Sequence, residues 1–459
     1  MVDMLFGVGL PIKRLSSVWV IAFSLWVIAL IARIVFYRLF LSDNPCLLMY
    51  DSGHYHTMAV HLLEQGAFCD AQGAYYFYRM PGYPLFLAAC YKIFGVLPQA
   101  ALAVQMVISA FMPVQVFFLM HSVGTSLGLA ASMVKRVRMV VATIMVFQCG
   151  ALVFSGLVMT DMLFTMFFLG FLQVLVCAWN KKTWQLMVGA GLLLGVCNLV
   201  RPLIFLPIII VGLVFVLISG SMLRRAGLAL SLCAGWGALV LCWLVRNWLL
   251  TGVWFLHTLS GPHLLNHGAI RVYAMAHHTT HEVARERVTQ RLQAEINPIV
   301  ASQEQERLAG AILLAYWPQT LYLGIVNCVK TVAGLYTSEL MVIDAHGELP
   351  PYEGSCNMIE RAKRFLYPQV HNTLIRYVCW CEILFNLVLI LGFLGFVVLY
   401  WRFVCKQPLL ILLLGICLCT VATTAICGFA RLRLPIESIL IMVSVLFYLC
   451  GARTKDSRL

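Results

Sequence analysis

The chain has 459 residues, of which 62% are apolar and only 11% charged, with a formal net charge of +13. A soluble domain carries about 25% charged residues and splits beyond roughly 250–300 residues, so a soluble fold is excluded and an integral membrane protein is implied. The positive charge is not a nucleic-acid footprint either, because the lysines and arginines mostly sit beside apolar runs.

A span needs about 20 apolar residues, so this length holds roughly ten or eleven helices with well over a hundred residues left for loops. Apolar runs predict spans near residues 17–41, 99–121, 139–157, 160–179, 184–200, 203–219, 226–246, 382–401, 408–427 and 434–451. The first run is too long for a signal-peptide core and reads as a retained anchor. The turns orient the set. Lys13 and Arg14, Lys135, Arg136 and Arg138, Lys181 and Lys182, Arg224 and Arg225, Arg402 and Lys406, and Arg453, Lys455 and Arg458 all fall on one side, which the positive-inside rule makes cytoplasmic. A span at 311–337 would put the Arg402 turn on the wrong side, so that run is expected to lie on or dip into the outer face.

The fold class expected is therefore an all-α polytopic membrane protein of about ten transmembrane helices, with interfacial helices in two extracytoplasmic loops, 42–98 and 247–380. Residues 1–254 form an N-terminal membrane core, 255–380 an external region and 381–459 the C-terminal membrane helices. Of the 17 cysteines, most lie in apolar runs (Cys233, Cys242, Cys417, Cys419), where Cys behaves as a small hydrophobe. Cys46 and Cys69 share the first external loop, either as a disulfide or as two free thiols.

Orientation leaves five arginines at external helix ends, where the rule does not place them: Arg79 before Met80 and Pro81, Arg201 before Pro202, Arg246 before Asn247, and Arg431 with Arg433 in GFARLRLP. A mid-membrane arginine costs about 2.5–3.5 kcal/mol on insertion scales, less near the interface, so five on one face call for a shared anionic partner. Guanidinium forks hold phosphate oxygens, and phosphate at a membrane surface implies a lipid headgroup or a lipid-linked substrate; the competing account is snorkelling to ordinary lipid phosphates. Two acids share that face. Asp51 in YDSGHY reads either as a functional carboxylate or as a helix cap, and so does Asp161 in MTDML.

The stretch DSGHYHTMAVHLLEQGAF followed by YRMPGYPLFLAACYKIFG resembles the first external loop of the bacterial C-type glycosyltransferases, in the family 39 branch of protein O-mannosyltransferases and lipid A aminoarabinose transferases. The matching letters include Asp51, Ser52, Tyr55, Ala59, Gly66, Arg79, Pro81, Gly82, Tyr83 and Pro84. Weaker echoes follow in NLVRPLIFLP, LVRNWLLTG and RLRLPIE, while 255–380 matches nothing. The resemblance implies a C-type fold, transfer of a sugar from a polyprenyl-phosphate donor at the extracytoplasmic face of the cytoplasmic membrane, and Asp51 as catalytic base.

Such a reaction displaces lipid phosphate at the anomeric carbon, so it needs a carboxylate for the acceptor proton and fixed cations for the developing phosphate charge. Asp51 fits the first role; Arg79, Arg201, Arg246, Arg431 and Arg433 are candidates for the second, with Asp161, Tyr55, His54 and Tyr83 in support. One strong carboxylate rather than a close pair favours inversion. The chain departs from many relatives in having Ser52 where they have Glu, Asp161 where they often have Glu, and Glu437, which could pair with Arg433 four residues earlier.

His277 and His281 have metal-like spacing but no third ligand, so no metal is expected there; no DxD run occurs, which removes the usual sign of a metal-nucleotide sugar site, and no WWDYG run occurs, which argues against an oligosaccharyltransferase; no cofactor is expected. The partners expected are the polyprenyl-phosphate sugar and membrane lipids, not nucleic acid. The rival class is a transporter or flippase of a lipid-linked or anionic solute, which needs polar groups along a midplane path. A third option is a non-enzymatic assembly factor. If acceptor selection is encoded anywhere, it is in 255–380.

Overall fold

The computed structural model describes residues 12–42, 48, 51–70, 72–202, 205–292, 297–344, 370 and 372–451. Cys46, Arg453, Lys455 and Arg458 lie outside the described residues; Cys69 is a buried free thiol. Among the described residues the chain is helical, and a lone bridge between Cys69 and Tyr75 is the β-type pairing.

Every predicted span falls on a helix or helix pair. In order these are Ile12–Phe40, Pro98–Ser109 continuing into Met112–Ser126, Ala131–Phe147 with Cys149–Ser155, Thr160–Lys181, Trp184–Val200, Phe205–Leu217, Met222–Thr251, Thr373–Leu399, Pro408–Ala422, and Ala430–Ile436 leading into Glu437–Gly451. Among the described residues six of these are long and apolar enough to cross a membrane, seven if the bent pair Ala131–Phe147 with Cys149–Ser155 is one span, and a second bent pair, Pro298–Ala315 with Trp317–Ala333, would make eight. At ~1.5 Å per residue, Trp184–Val200, Phe205–Leu217 and Pro408–Ala422 fall short of a ~30 Å hydrocarbon core. The protein is thus a multi-pass membrane bundle in which some members are shorter than the sequence runs suggested.

Local chemistry sets the breaks. Pro98 and Pro408 open their helices at the position where a missing N–H costs nothing. The 45° bend after Phe147 is stabilised by Gln148, whose side chain accepts from the Ala151 amide at 2.6 Å. The run expected to dip into the outer face is two helices, Pro298–Ala315 and Trp317–Ala333, meeting at 101°.

The bundle centre is the trio Thr160–Lys181, Trp184–Val200 and Met222–Thr251. A Cβ on Gly191 would lie 2.1 Å from the Leu232 carbonyl oxygen, and one on Gly235 would lie 2.2 Å from that of Val188. The two backbones therefore touch, as small residues allow where lipid offers no hydrophobic drive for helix association. At the basic end, Lys182 donates to Ser219 at 2.6 Å and Asn180 to Ser126 at 2.6 Å. The opposite end carries the site. A second, smaller core joins Leu265, Ile270, Val272, Ala284 and Val288 to Ala309 and Ile312, so the segment from about 260 to 315 packs on itself.

Candidate active site

Asp51 is the first residue of the helix Asp51–Gln65, which is fixed to the bundle by Ser52 donating to the Val158 carbonyl at 2.8 Å. The carboxylate reaches Arg79, with Oδ1 2.5 Å from the guanidinium; its other oxygen makes no hydrogen bond among the described residues. Arg79 lies over the Tyr78 ring at 4.9 Å and the Tyr55 ring at 5.8 Å, contacts that favour the cation. The helix after it starts at Gly82, where a Cβ would meet the Leu199 carbonyl oxygen at 2.7 Å. Only glycine permits that approach, and it brings Arg79 next to the end of Trp184–Val200, where Arg201 begins.

Arg201 pairs with Asp161 at 2.9 Å, the acid being fully enclosed and its Oδ2 without a hydrogen-bond partner. Asp161 is not a cap, since no side chain caps its helix at Met159. The backbone before it is pinned by Gln105, which donates to the Phe154, Ser155 and Leu157 carbonyls and accepts from the Tyr83 hydroxyl at 2.8 Å. Tyr83 therefore acts through Gln105 on the placement of Asp161.

Asp51, Tyr55, Arg79, Arg201 and Arg431 all line one cavity of about 780 Å³. Among the described residues Arg431 has Nε buried without a partner, as has Arg79. One flank of the cavity is apolar, running along Phe164, Phe168 and Leu206 to Phe205, which is 70% exposed on the side of the bundle.

The other predicted residues stand outside this cavity. Arg246 is spent on packing: it donates to Asn247 at 2.8 Å and lies over Trp243, Phe77, Tyr75 and Phe68 at 4.6–6.0 Å. Arg433 is fully enclosed, paired with Glu437 at 3.3 Å, donating to Asn386 at 3.1 Å and to the Val332 carbonyl, and stacked on Tyr336 at 4.9 Å. Of the five arginines expected to share one anion, Arg79, Arg201 and Arg431 line the cavity, whereas Arg246 and Arg433 stand outside it against partners within the protein. His54 bonds Tyr76 at 2.9 Å, and burial and the Arg79 charge hold its pKa below the usual value.

Sequence reasoning missed four residues here. Glu339 sits close enough to Arg431 for their charges to interact; burial pushes its carboxyl up while Arg431 opposes the shift. Its short helix Thr337–Asp344 is anchored by the Glu382 carboxylate, which accepts the Tyr336 and Thr337 amides at 2.6 and 2.9 Å. His257, His263 and His267 also line the cavity, with burial lowering His257 and His263 to about 4. Both His257 ring nitrogens are buried without partners. No spacing in 255–380 links these residues; the fold does. His277, by contrast, bonds the Tyr316 hydroxyl at 2.8 Å outside the cavity.

No family model matches the sequence, and no curated protein matches it. Two solved structures are similar over most of the chain: ArnT from Cupriavidus metallidurans in the apo state, 14% identical with a TM-score of 0.38, covering 95% of this chain and 77% of that one, and the same protein bound to undecaprenyl phosphate, 14% identical with a TM-score of 0.38, covering 96% and 79%. A likeness at this level assigns neither family nor activity.

Proposed function

We propose that this chain is a C-type glycosyltransferase that moves a sugar from a polyprenyl-phosphate donor to an acceptor hydroxyl at the extracytoplasmic face of the cytoplasmic membrane. The observation that carries the reading is the convergence of Asp51 with Arg79, Arg201 and Arg431 on one cavity with an apolar flank. Guanidinium groups with buried, unpartnered N–H donors favour a phosphate, and the Phe164, Phe168 and Phe205 side suits an isoprenoid chain arriving from lipid.

In the step envisaged, the free oxygen of Asp51 takes the proton of the acceptor hydroxyl as that oxygen bonds to the anomeric carbon. The bond from that carbon to the phosphate oxygen breaks, and its electron pair leaves with the lipid phosphate. Arg201 and Arg431 meet the charge that develops there, and Arg79 holds the base in register. A base facing the leaving group across the sugar inverts the anomeric centre. Asp161 serves by orienting Arg201, and Tyr55 by walling the cavity beneath Arg79.

The test is comparative mass spectrometry of envelope glycolipids and glycoproteins from cells lacking this protein and supplied with either the unaltered chain or Asp51→Asn. The reading predicts a glycan that appears with the unaltered chain and not with a folded, inserted Asp51→Asn. An identical profile for both would remove Asp51 as the base.

A further inference from the structure

The arginines account for one part of the cavity lining. Another part comes from the segment 257–306: His257, Ser260, His263, His267 and Glu306 line it, and burial lowers all three imidazoles below their ordinary value. This wall is rigidly placed. The Thr258 amide donates to the Phe77 carbonyl at 2.9 Å, Asn247 donates to the Phe255 carbonyl at 2.9 Å, and Gly261 lies so close to Ser302 that a Cβ would meet its carbonyl oxygen at 2.2 Å. Ser260 donates to Glu306 across the same wall.

His257 decides the chemistry. It is 9% exposed, and neither ring nitrogen has a hydrogen-bond partner among the described residues. A buried polar group left unmatched costs about 1–3 kcal/mol, so an imidazole facing a cavity in this state is matched when a ligand arrives. A neutral imidazole offers one donor and one acceptor, the complement of a hydroxyl, whereas its lone pair and the Glu306 carboxylate repel an anion.

We propose that His257, with Ser260, His263, His267 and Glu306, forms a subsite for an uncharged, polyhydroxylated acceptor, a sugar hydroxyl rather than a phosphate-bearing headgroup. The proposal rests on the glycosyltransferase reading and names the acceptor class that the reading leaves open. A site that satisfies hydroxyls by fixed hydrogen bonds also rejects analogues that lack them.

Saturation-transfer NMR on the full chain in lipid nanodiscs holding saturating polyprenyl phosphate, so that the arginine wall is occupied, tests it with a panel of methyl glycosides (gluco, galacto, manno) and with glucose 6-phosphate. Polyprenyl phosphate binding is measured in parallel. At least one methyl glycoside is expected to bind the unaltered protein, more tightly than glucose 6-phosphate. His257→Leu weakens it about tenfold, while His257→Gln, which keeps a donor and an acceptor, stays within about threefold. Polyprenyl phosphate binding is unchanged in both. Where His257→Leu fails to fold, His267→Leu on the same wall replaces it. The proposal is overturned if no glycoside binds, if glucose 6-phosphate binds better, or if the leucine variant weakens polyprenyl phosphate as much as the glycoside. Loss of polyprenyl phosphate binding in the unaltered protein would instead sink the donor reading, so the two failures are separable.

Discussion

The cavity wall of Arg79, Arg201 and Arg431 and the knot around Arg433 hold the same chemical group under opposite conditions. In the knot every element of the guanidinium is answered by the protein: Glu437 and Asn386 take its donors, Tyr336 lies against its face, and carbonyls of 331–334 close the rest. On the cavity wall each arginine has at most one carboxylate partner, and Arg79 and Arg431 keep a buried N–H without any. A buried charge fully answered holds a fold together; one left partly open is disposed to take a ligand. Position at a helix end does not tell these apart, and only the partners do.

That contrast can be broken at several places. The largest effect is expected at the base. Asp51→Asn lowers transfer by about 10² to 10⁴ while the thermal midpoint in nanodiscs stays near that of the unaltered chain. Removing a charge from the knot acts on the fold instead. Arg433→Met leaves Glu437 buried without its cation and with the Tyr336 hydroxyl still donating to it, a defect of about 3–5 kcal/mol for a broken buried pair, and expression with size-exclusion analysis should show little folded protein.

Arg431→Gln is expected to keep the fold and weaken polyprenyl phosphate binding about tenfold or more, the cost of a hydrogen bond to a charged group. Arg246→Lys, outside the cavity, should leave that binding within about twofold and lower the thermal midpoint slightly, because lysine stacks less well on Trp243 and Phe77. The smallest effect is in pH. His257 and His263 titrate near 4 in the fold, against an ordinary value of 6.5. Between those values the unfolded chain binds more protons than the folded one, so stability falls as pH drops from about 6.5 to about 4. His257→Gln should flatten that slope in a pH series of thermal midpoints.

The spans were legible because membrane helices announce themselves by apolar length, and the run at 311–337, set apart by the charge of the Arg402 and Lys406 turn, belongs to a helix pair bent by 101°. The Asp51 and Arg79 loop was legible through its motif letters. What did not show was the fate of individual arginines, since Arg246 and Arg431 look alike beside an apolar run and differ only in which rings and acids the fold brings to them. The Glu437 clue was readable: a carboxylate four residues after Arg433 on one helix face is a partner in waiting, and it is the partner found. Arg33, fully buried within the first span and donating to Ser109 at 2.9 Å, carried no sequence signal that distinguished it from a snorkelling end residue. The histidine wall was invisible for a different reason: His257 and His267 meet Arg79 and Arg431 only through tertiary packing of a region that matches no motif.

The most direct measurement is equilibrium binding of a polyprenyl phosphate to the purified chain in nanodiscs, compared across the unaltered protein, Arg431→Gln and Arg246→Lys. The account predicts saturable binding that Arg431→Gln weakens about tenfold and Arg246→Lys leaves unchanged. Equal binding by all three, or a greater loss with Arg246→Lys, would contradict it.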